Sequence, residues 1–130
     1  MNLFRIEVPL RWGDMDAMGH VNNVVYFRLM EEARIQWFET LGFATMPVEQ
    51  APILAHVSCD FVKPLNYPGT AVVTQKVERL GNASAEISIR IERTDEPGVV
   101  YARGRSVVVW YDYSANKSIP WPDSVREALA

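Results

Sequence analysis

Between Arg11 and Asn23 the chain reads RWGDMDAMGHVNN. Two carboxylates (Asp14, Asp16), one imidazole (His20), two amides (Asn22, Asn23) and two glycines (Gly13, Gly19) crowd this stretch. A helix-period pattern starts directly after it. A helix N-terminus presents unpaired N–H groups and partial positive charge. A carboxylate held beside it can serve as base or nucleophile toward a bound carbonyl. The N–H groups can polarise the carbonyl oxygen. Tight turns and helix caps use the same residue types, so spacing alone leaves both roles open.

The elements that must position this loop follow from periodicity. Phe4, Ile6 and Val8 share one parity in residues 4–11, which predicts a first strand that ends at Pro9 or lies at a sheet edge. From Val24 to Leu41 the period changes. Tyr26, Met30, Ala33, Trp37 and Leu41 recur at three- and four-residue spacing, with Arg28, Glu31, Glu32, Arg34, Gln36 and Glu39 mostly between them. This predicts an amphipathic helix, capped by Asn22 or Asn23 and closed by Gly42. Four strands are predicted next, over Ile53–Val62, Ala71–Leu80, Ser84–Thr94 and Val99–Tyr113, and then a short helix within Pro120–Ala130. Strands that follow one another through short turns are antiparallel. A helix of about 27 Å, at ~1.5 Å per residue, matches the height of such a sheet. The expected architecture is α+β: a curved antiparallel five-stranded sheet wrapped around one long central helix.

Composition bounds the function. With 130 residues, 48% of them hydrophobic and 22% charged, the chain is expected to form a single domain, residues 1–130, with an ordinary core. Its net charge of −3 argues against sequence-independent nucleic-acid binding, which needs a basic face. No apolar stretch approaches the ~20 residues of a membrane span. One cysteine, Cys59, permits no internal disulfide and favours a reducing, cytoplasmic setting. One cysteine and two histidines make no Cys/His zinc cluster, and no metal site is expected. The sequence carries no nucleophile elbow, no Walker A loop and no dinucleotide-binding glycine pattern.

The run Gly13-Asp14-Met15-Asp16-Ala17-Met18-Gly19-His20-Val21-Asn22-Asn23, followed by Tyr26, Glu32-Ala33-Arg34 and Trp37-Phe38, resembles the opening of the hotdog-fold thioesterases. The closest likeness is to the 4-hydroxybenzoyl-CoA thioesterase-like acyl-CoA thioesterases. That resemblance implies hydrolysis of an acyl- or aryl-CoA thioester, or an acyl-carrier-protein thioester, to a free acid and a thiol. Asp16 matches the family's catalytic carboxylate. Asp14 matches a structural position that bonds loop amides. Asn23 falls where the family uses a backbone N–H to hold the thioester oxygen. Gly19 lets the backbone approach the acyl group. His20 and Asn22 belong to the same stretch, which is also similar to plant acyl-carrier-protein thioesterases. There an Asn stands two residues after the Asp and a His two residues further on. Asp16 and His20 fit those places while Met18 replaces the Asn, which leaves Asp16 as the main actor and His20 as a supporting catalytic group or as packing.

The resemblance further implies that Arg79, Asn82 and Ser84, around the turn after the third strand, contact the CoA phosphates and pantetheine. Lys63, Arg103 and Arg105 are further basic candidates, since a phosphate favours Arg or Lys nearby. Tyr26 stands at the helix start, where it can shape an acyl pocket. His56 is a lone strand histidine, sharing parity with Ser58 and Asp60; Cys59 lies on the opposite parity and reads as core. No cofactor is expected, coenzyme A being part of the substrate. A homo-oligomer, dimer or tetramer, is implied, since hotdog proteins pair their sheets edge to edge. The rival readings are a hotdog enoyl-thioester hydratase or dehydratase, and a non-catalytic acyl-CoA-binding module.

Overall fold

A computed structural model of the protein describes residues 3–43 and 49–130. Its elements are β1 (Leu3–Pro9), a 3₁₀ turn (Trp12–Asp14), α1 (Asn23–Thr40), β2 (Gln50–Phe61), β3 (Thr70–Leu80), β4 (Ser84–Arg93), β5 (Ala102–Asp112), β6 (Lys117–Ser118) and α2 (Asp123–Leu129). The five long strands and both helices stand where periodicity predicts them. The helix caps do too. The Asn22 side chain accepts from the Val24 N–H, and Gly42 follows the C-cap with φ of +81°, a conformation that suits only glycine well. A sixth strand of two residues, β6, is too short for alternation to reveal.

All pairings are antiparallel, in the order β1-β3-β4-β5-β2, with β6 on β5. The β3–β4–β5 run is a meander, as successive strands with short turns should be. The pairing of β2 departs from that rule: it joins β5 at the far side of the sheet. The reason is competition for β3, whose two sides are taken by β1 and β4. A strand left without a place beside its successor completes the other edge.

Helix α1 covers one face of this sheet. Tyr26, Leu29, Met30, Ala33, Trp37 and Phe38 are buried with Val73, Val77, Ile87, Ile89, Ile91 and Val108. Trp37 stacks on Phe4 with ring centroids 6.3 Å apart. Gly104 in β5 provides the notch that seats the helix. A Cβ there would lie 2.7 Å from Met30 Cε and 3.1 Å from the Ser58 carbonyl oxygen. Gly104→Ala is therefore expected to cost about 1–3 kcal/mol, the usual range for an overfilled core, read from urea unfolding. A loss below about 0.5 kcal/mol would show that Met30 swings aside freely.

One residue departs from the expected helix face. Arg34 falls among polar positions by periodicity, yet it is only 7% exposed. It lines a groove between α1 and β2 with Phe27, Leu54 and Val57. Burial lowers its pKa, partly offset by the nearby Glu31 carboxylate. The long aliphatic stem of arginine makes such a position tolerable.

At the opposite end, α2 buries Val125 and Leu129. The Trp121 N–H donates to Asn82 O, its indole N–H donates to Ser84 O, and Arg126 Nη2 donates to Gly81 O. The C-terminal segment thus closes over the β3–β4 turn.

Candidate functional site

The loop between β1 and α1 is a miniature hairpin. Met15 and Val21 form an isolated bridge, and the Asp16 N–H donates to His20 O at 2.9 Å. The tip turns through Gly19, whose φ of +76° lies in the left-handed region open to glycine. Asp16 Oδ1 accepts from the Met18 N–H at 2.9 Å, while Oδ2 accepts no hydrogen bond among the described residues. The carboxylate is thus anchored by one oxygen and solvent-exposed at the other. The turn thus occupies one carboxylate oxygen and leaves the other open.

Asp14 works behind this hairpin. It is 3% exposed, and Oδ2 accepts from the Arg11 N–H at 2.8 Å. Oδ1 accepts from Arg11 Nη2 at 3.1 Å and Arg28 Nη2 at 2.9 Å. Its carbonyl accepts from the Asn22 N–H at 2.9 Å. The expected bond to a loop amide is present, and two arginines reinforce it.

The start of α1 leaves one donor open. Asn22 takes the Val24 N–H on its side chain and the Val25 N–H on its carbonyl. The N–H of Asn23 has no acceptor among the described residues. That is the geometry of a helix terminus able to receive an oxygen.

These groups meet at one cleft. Asp16, Met18, His20, Val21, Asn23, Tyr26, Phe61, Val62, Lys63 and Pro64 line a cleft of about 410 Å³. Of the residues chosen from sequence, Asp16, His20, Asn23, Tyr26 and Lys63 come together. Gly19 and Asn22 shape the loop and cap without lining the cleft. Arg79, Asn82 and Ser84 lie elsewhere in the chain. Ser84 pairs with Val109, whereas Ile91, at the cleft end of β4, pairs with Ala102. That separation is roughly 23 Å at ~3.3 Å per strand residue. Arg103 lies one pair from Ala102, on the exposed face of β5, and Arg105 is bonded to Glu86 at 2.8 Å. His56, Ser58 and Asp60 are exposed on β2.

Phe61, Val62 and Pro64 were not singled out by sequence. They carry no polar chemistry, and only the return of β2 beside α1 brings them to Asp16. Phe61 packs edge-on against Tyr26, with centroids 5.0 Å apart. The Tyr26 hydroxyl accepts from the Leu65 N–H at 3.0 Å and donates to Lys63 O at 3.4 Å. Burial raises the Tyr26 pKa, against an opposing contribution from the Leu65 bond, so this phenol stays neutral at physiological pH. Lys63 lies with Nζ 5.4 Å from the Tyr101 ring centre, a cation–π contact.

Cys59 packs against the core from β2. Burial, and then the Asp60 charge, push its thiol up to about 11. At pH 8 the folded chain is expected to react with a disulfide reagent roughly 100-fold more slowly than the unfolded chain, because the thiolate is the reactive form. Equal rates would place the thiol in an ordinary aqueous environment.

Comparison with known proteins gives the family and the fold. The description "thioesterase-like superfamily" belongs to the profile that matches residues 10–129. The PA2801 protein of Pseudomonas aeruginosa, a candidate thioesterase, is 39% identical with a TM-score of 0.93, covering 99% of this chain and 100% of that one. A candidate acyl-CoA thioesterase from Xanthomonas campestris is 36% identical with a TM-score of 0.82, covering 92% and 100%. The 1,4-dihydroxy-2-naphthoyl-CoA thioesterase Slr0204 of Synechocystis is 20% identical with a TM-score of 0.88, covering 98% and 96%, and shares the fold. No helix among the described residues is long and apolar enough to cross a membrane. The profile match, spanning the acidic hairpin, the capped helix and strands β2 to β6, shows that the chain belongs to the thioesterase-like superfamily, the hotdog-fold thioester hydrolases.

Proposed function

We propose that the protein hydrolyses the thioester of an acyl- or aryl-CoA, with Asp16 as the nucleophile or general base. The observation that supports this most is the pairing in one cleft of a half-anchored carboxylate and an open helix N–H. In this reading the thioester carbonyl oxygen takes the Asn23 N–H. Asp16 then either deprotonates a water that attacks the carbonyl carbon, or attacks it directly and passes through a mixed anhydride that water cleaves. In both routes the carbon–sulfur bond breaks and the thiol leaves. Charge developing on the carbonyl oxygen is met by a fixed dipole, which stabilises the transition state more than the ground state. His20 lines the same wall and supports the loop through its carbonyl. No metal or redox cofactor is required, since hydrolysis asks for a positioned carboxylate and an oxyanion site. Met18, Val21, Phe61 and Val62 supply the apolar side of the cleft for the acyl group.

A homodimer or tetramer belongs to this proposal. Among the described residues, the order of the sheet leaves β2 with one unpaired edge over a 12-residue strand, along which Leu54 and Phe61 are exposed. Long unpaired edges of this kind favour pairing. A partner is also the means by which Arg79, Asn82 and Ser84 would reach a CoA bound at Asp16, since they are distant within one chain. The single cysteine suits a reducing compartment, and we place the enzyme in the cytoplasm.

The test is thiol release from a panel of short, long and aryl CoA thioesters, with acyl-carrier-protein thioesters alongside. Turnover of at least one substrate is expected. Binding of acyl-CoA without thiol release would replace the enzyme by a binding module.

A further inference from the structure

The cleft wall opposite the acidic hairpin is the connection from Val62 to Gly69, which forms no regular ladder. Backbone carbonyls outside helices and sheets need other donors. Two of them here find the same side chain. Arg93, the last residue of β4, donates from Nη1 to Asn66 O at 2.7 Å and from Nη2 to Pro68 O at 2.8 Å. Its side chain is only 12% exposed. The guanidinium is itself held by Asp95, at 2.8 Å from Nε and 3.1 Å from Nη2. Gly69 leaves it room, because a Cβ on residue 69 would coincide with the guanidinium.

The segment gripped in this way grips the hairpin in turn. Leu65, fully buried, accepts the Val21 N–H on its carbonyl at 2.9 Å. The Asn66 amide, turned with its nitrogen toward acceptors, donates to Gly19 O at 2.9 Å. The Leu65 N–H meets the Tyr26 hydroxyl. The hairpin residues Gly19 and Val21 flank His20 and follow Asp16 closely, so the carboxylate's placement depends on where residues 65 and 66 sit.

We propose that Arg93 is a positioning residue for hydrolysis, setting the Asp16 hairpin through residues 65–68 without contact with the substrate. The inference rests on the thioesterase reading above. A guanidinium is suited to it, because its planar fork reaches two carbonyls and a carboxylate at once. An ammonium carries three donors on one atom and cannot make the four hydrogen bonds that this fork spreads over three nitrogens.

Four variants test this: Arg93→Ala, Arg93→Lys, Gly69→Ala and the double variant Gly69→Ala/Arg93→Ala. Arg93→Ala is expected to lower kcat about 10- to 100-fold with KM changed less than about threefold, because small misplacements of a reacting group have effects of that order. Arg93→Lys should fail to restore kcat. Gly69→Ala keeps the arginine but displaces it, and should match the loss. The double variant should be no worse than either single one, the signature of a shared interaction. Hydrogen exchange at the Val21 amide should quicken at least about tenfold in each variant, while amides in the middle of α1 stay as in the wild type. If the variants melt earlier yet keep the wild-type kcat, or if the two losses multiply, the positioning role is overturned. If the wild type hydrolyses no thioester, the functional reading fails on its own, and unchanged Val21 exchange in Arg93→Lys and Gly69→Ala separately overturns the clamp.

Discussion

Asp16→Asn is expected to lower kcat for thioester hydrolysis by a factor of about 10²–10⁴, the usual contribution of a positioned acid–base group. The substitution is chosen for what it preserves. An asparagine oxygen can still accept the Met18 N–H, so the Asx turn at the hairpin tip persists. What disappears is the negative charge and the lone pairs of Oδ2, the oxygen left open by the loop. Because Asp16 is exposed, stability should change by no more than about 0.5 kcal/mol. The measurement is steady-state thiol release together with a urea unfolding curve. A variant that turns over within threefold of the wild type would remove Asp16 from the chemistry and leave the turn as its only role.

Asp14→Ala should act in the opposite way, through the scaffold. The substitution removes the acceptors for the Arg11 amide and for two guanidinium groups. Hydrogen bonds to a charged group contribute about 1.5–3 kcal/mol each when well buried. Here the arginines reach water, with side chains 67% and 45% exposed, so their share is screened. A loss of about 2–3 kcal/mol in unfolding free energy is expected, most of it from the stranded Arg11 amide and the void. Activity should also fall, since the Asp14 carbonyl receives the N–H of the helix cap Asn22. Asp14→Asn keeps one of the two acceptor oxygens, enough for the Arg11 amide, and should recover about half of the stability. A loss below 0.5 kcal/mol for the alanine variant would mean that water replaces the carboxylate at little cost.

The contrast between these two acids was partly legible in sequence. Both lie in one loop before one helix, and their roles were separated there only by resemblance. The structure separates them by burial: Asp14 is enclosed by cations and an amide, whereas Asp16 stands at the hairpin rim. The N-cap was readable because Asn22 acts on its own neighbours, within hydrogen-bond reach along the chain. The same locality explains why Gly42 and the strand alternation were readable. Arg34 was misread because periodicity treats arginine as polar, while in the fold it is buried and lines the groove beside β2, a position that a long aliphatic stem tolerates.

The cleft's second wall was not readable. Phe61, Val62 and Pro64 are unremarkable at the end of a strand, and nothing local indicates that β2 crosses to the far edge. That placement follows from β1 and β4 already occupying both sides of β3. Arg93 is a stronger case. It precedes a turn as many arginines do, and its partners, Asn66 and Pro68, lie more than twenty residues away.

The sequence by itself determined the element order, the helix caps and the acidic loop beside a helix start, because each rests on interactions between near neighbours. Tertiary structure alone decided which acid is buried, which strand faces that loop, and which distant arginine secures it. Those outcomes depend on strands competing for pairing partners and on backbone groups finding donors across the fold, and neither competition is written in any short stretch of residues.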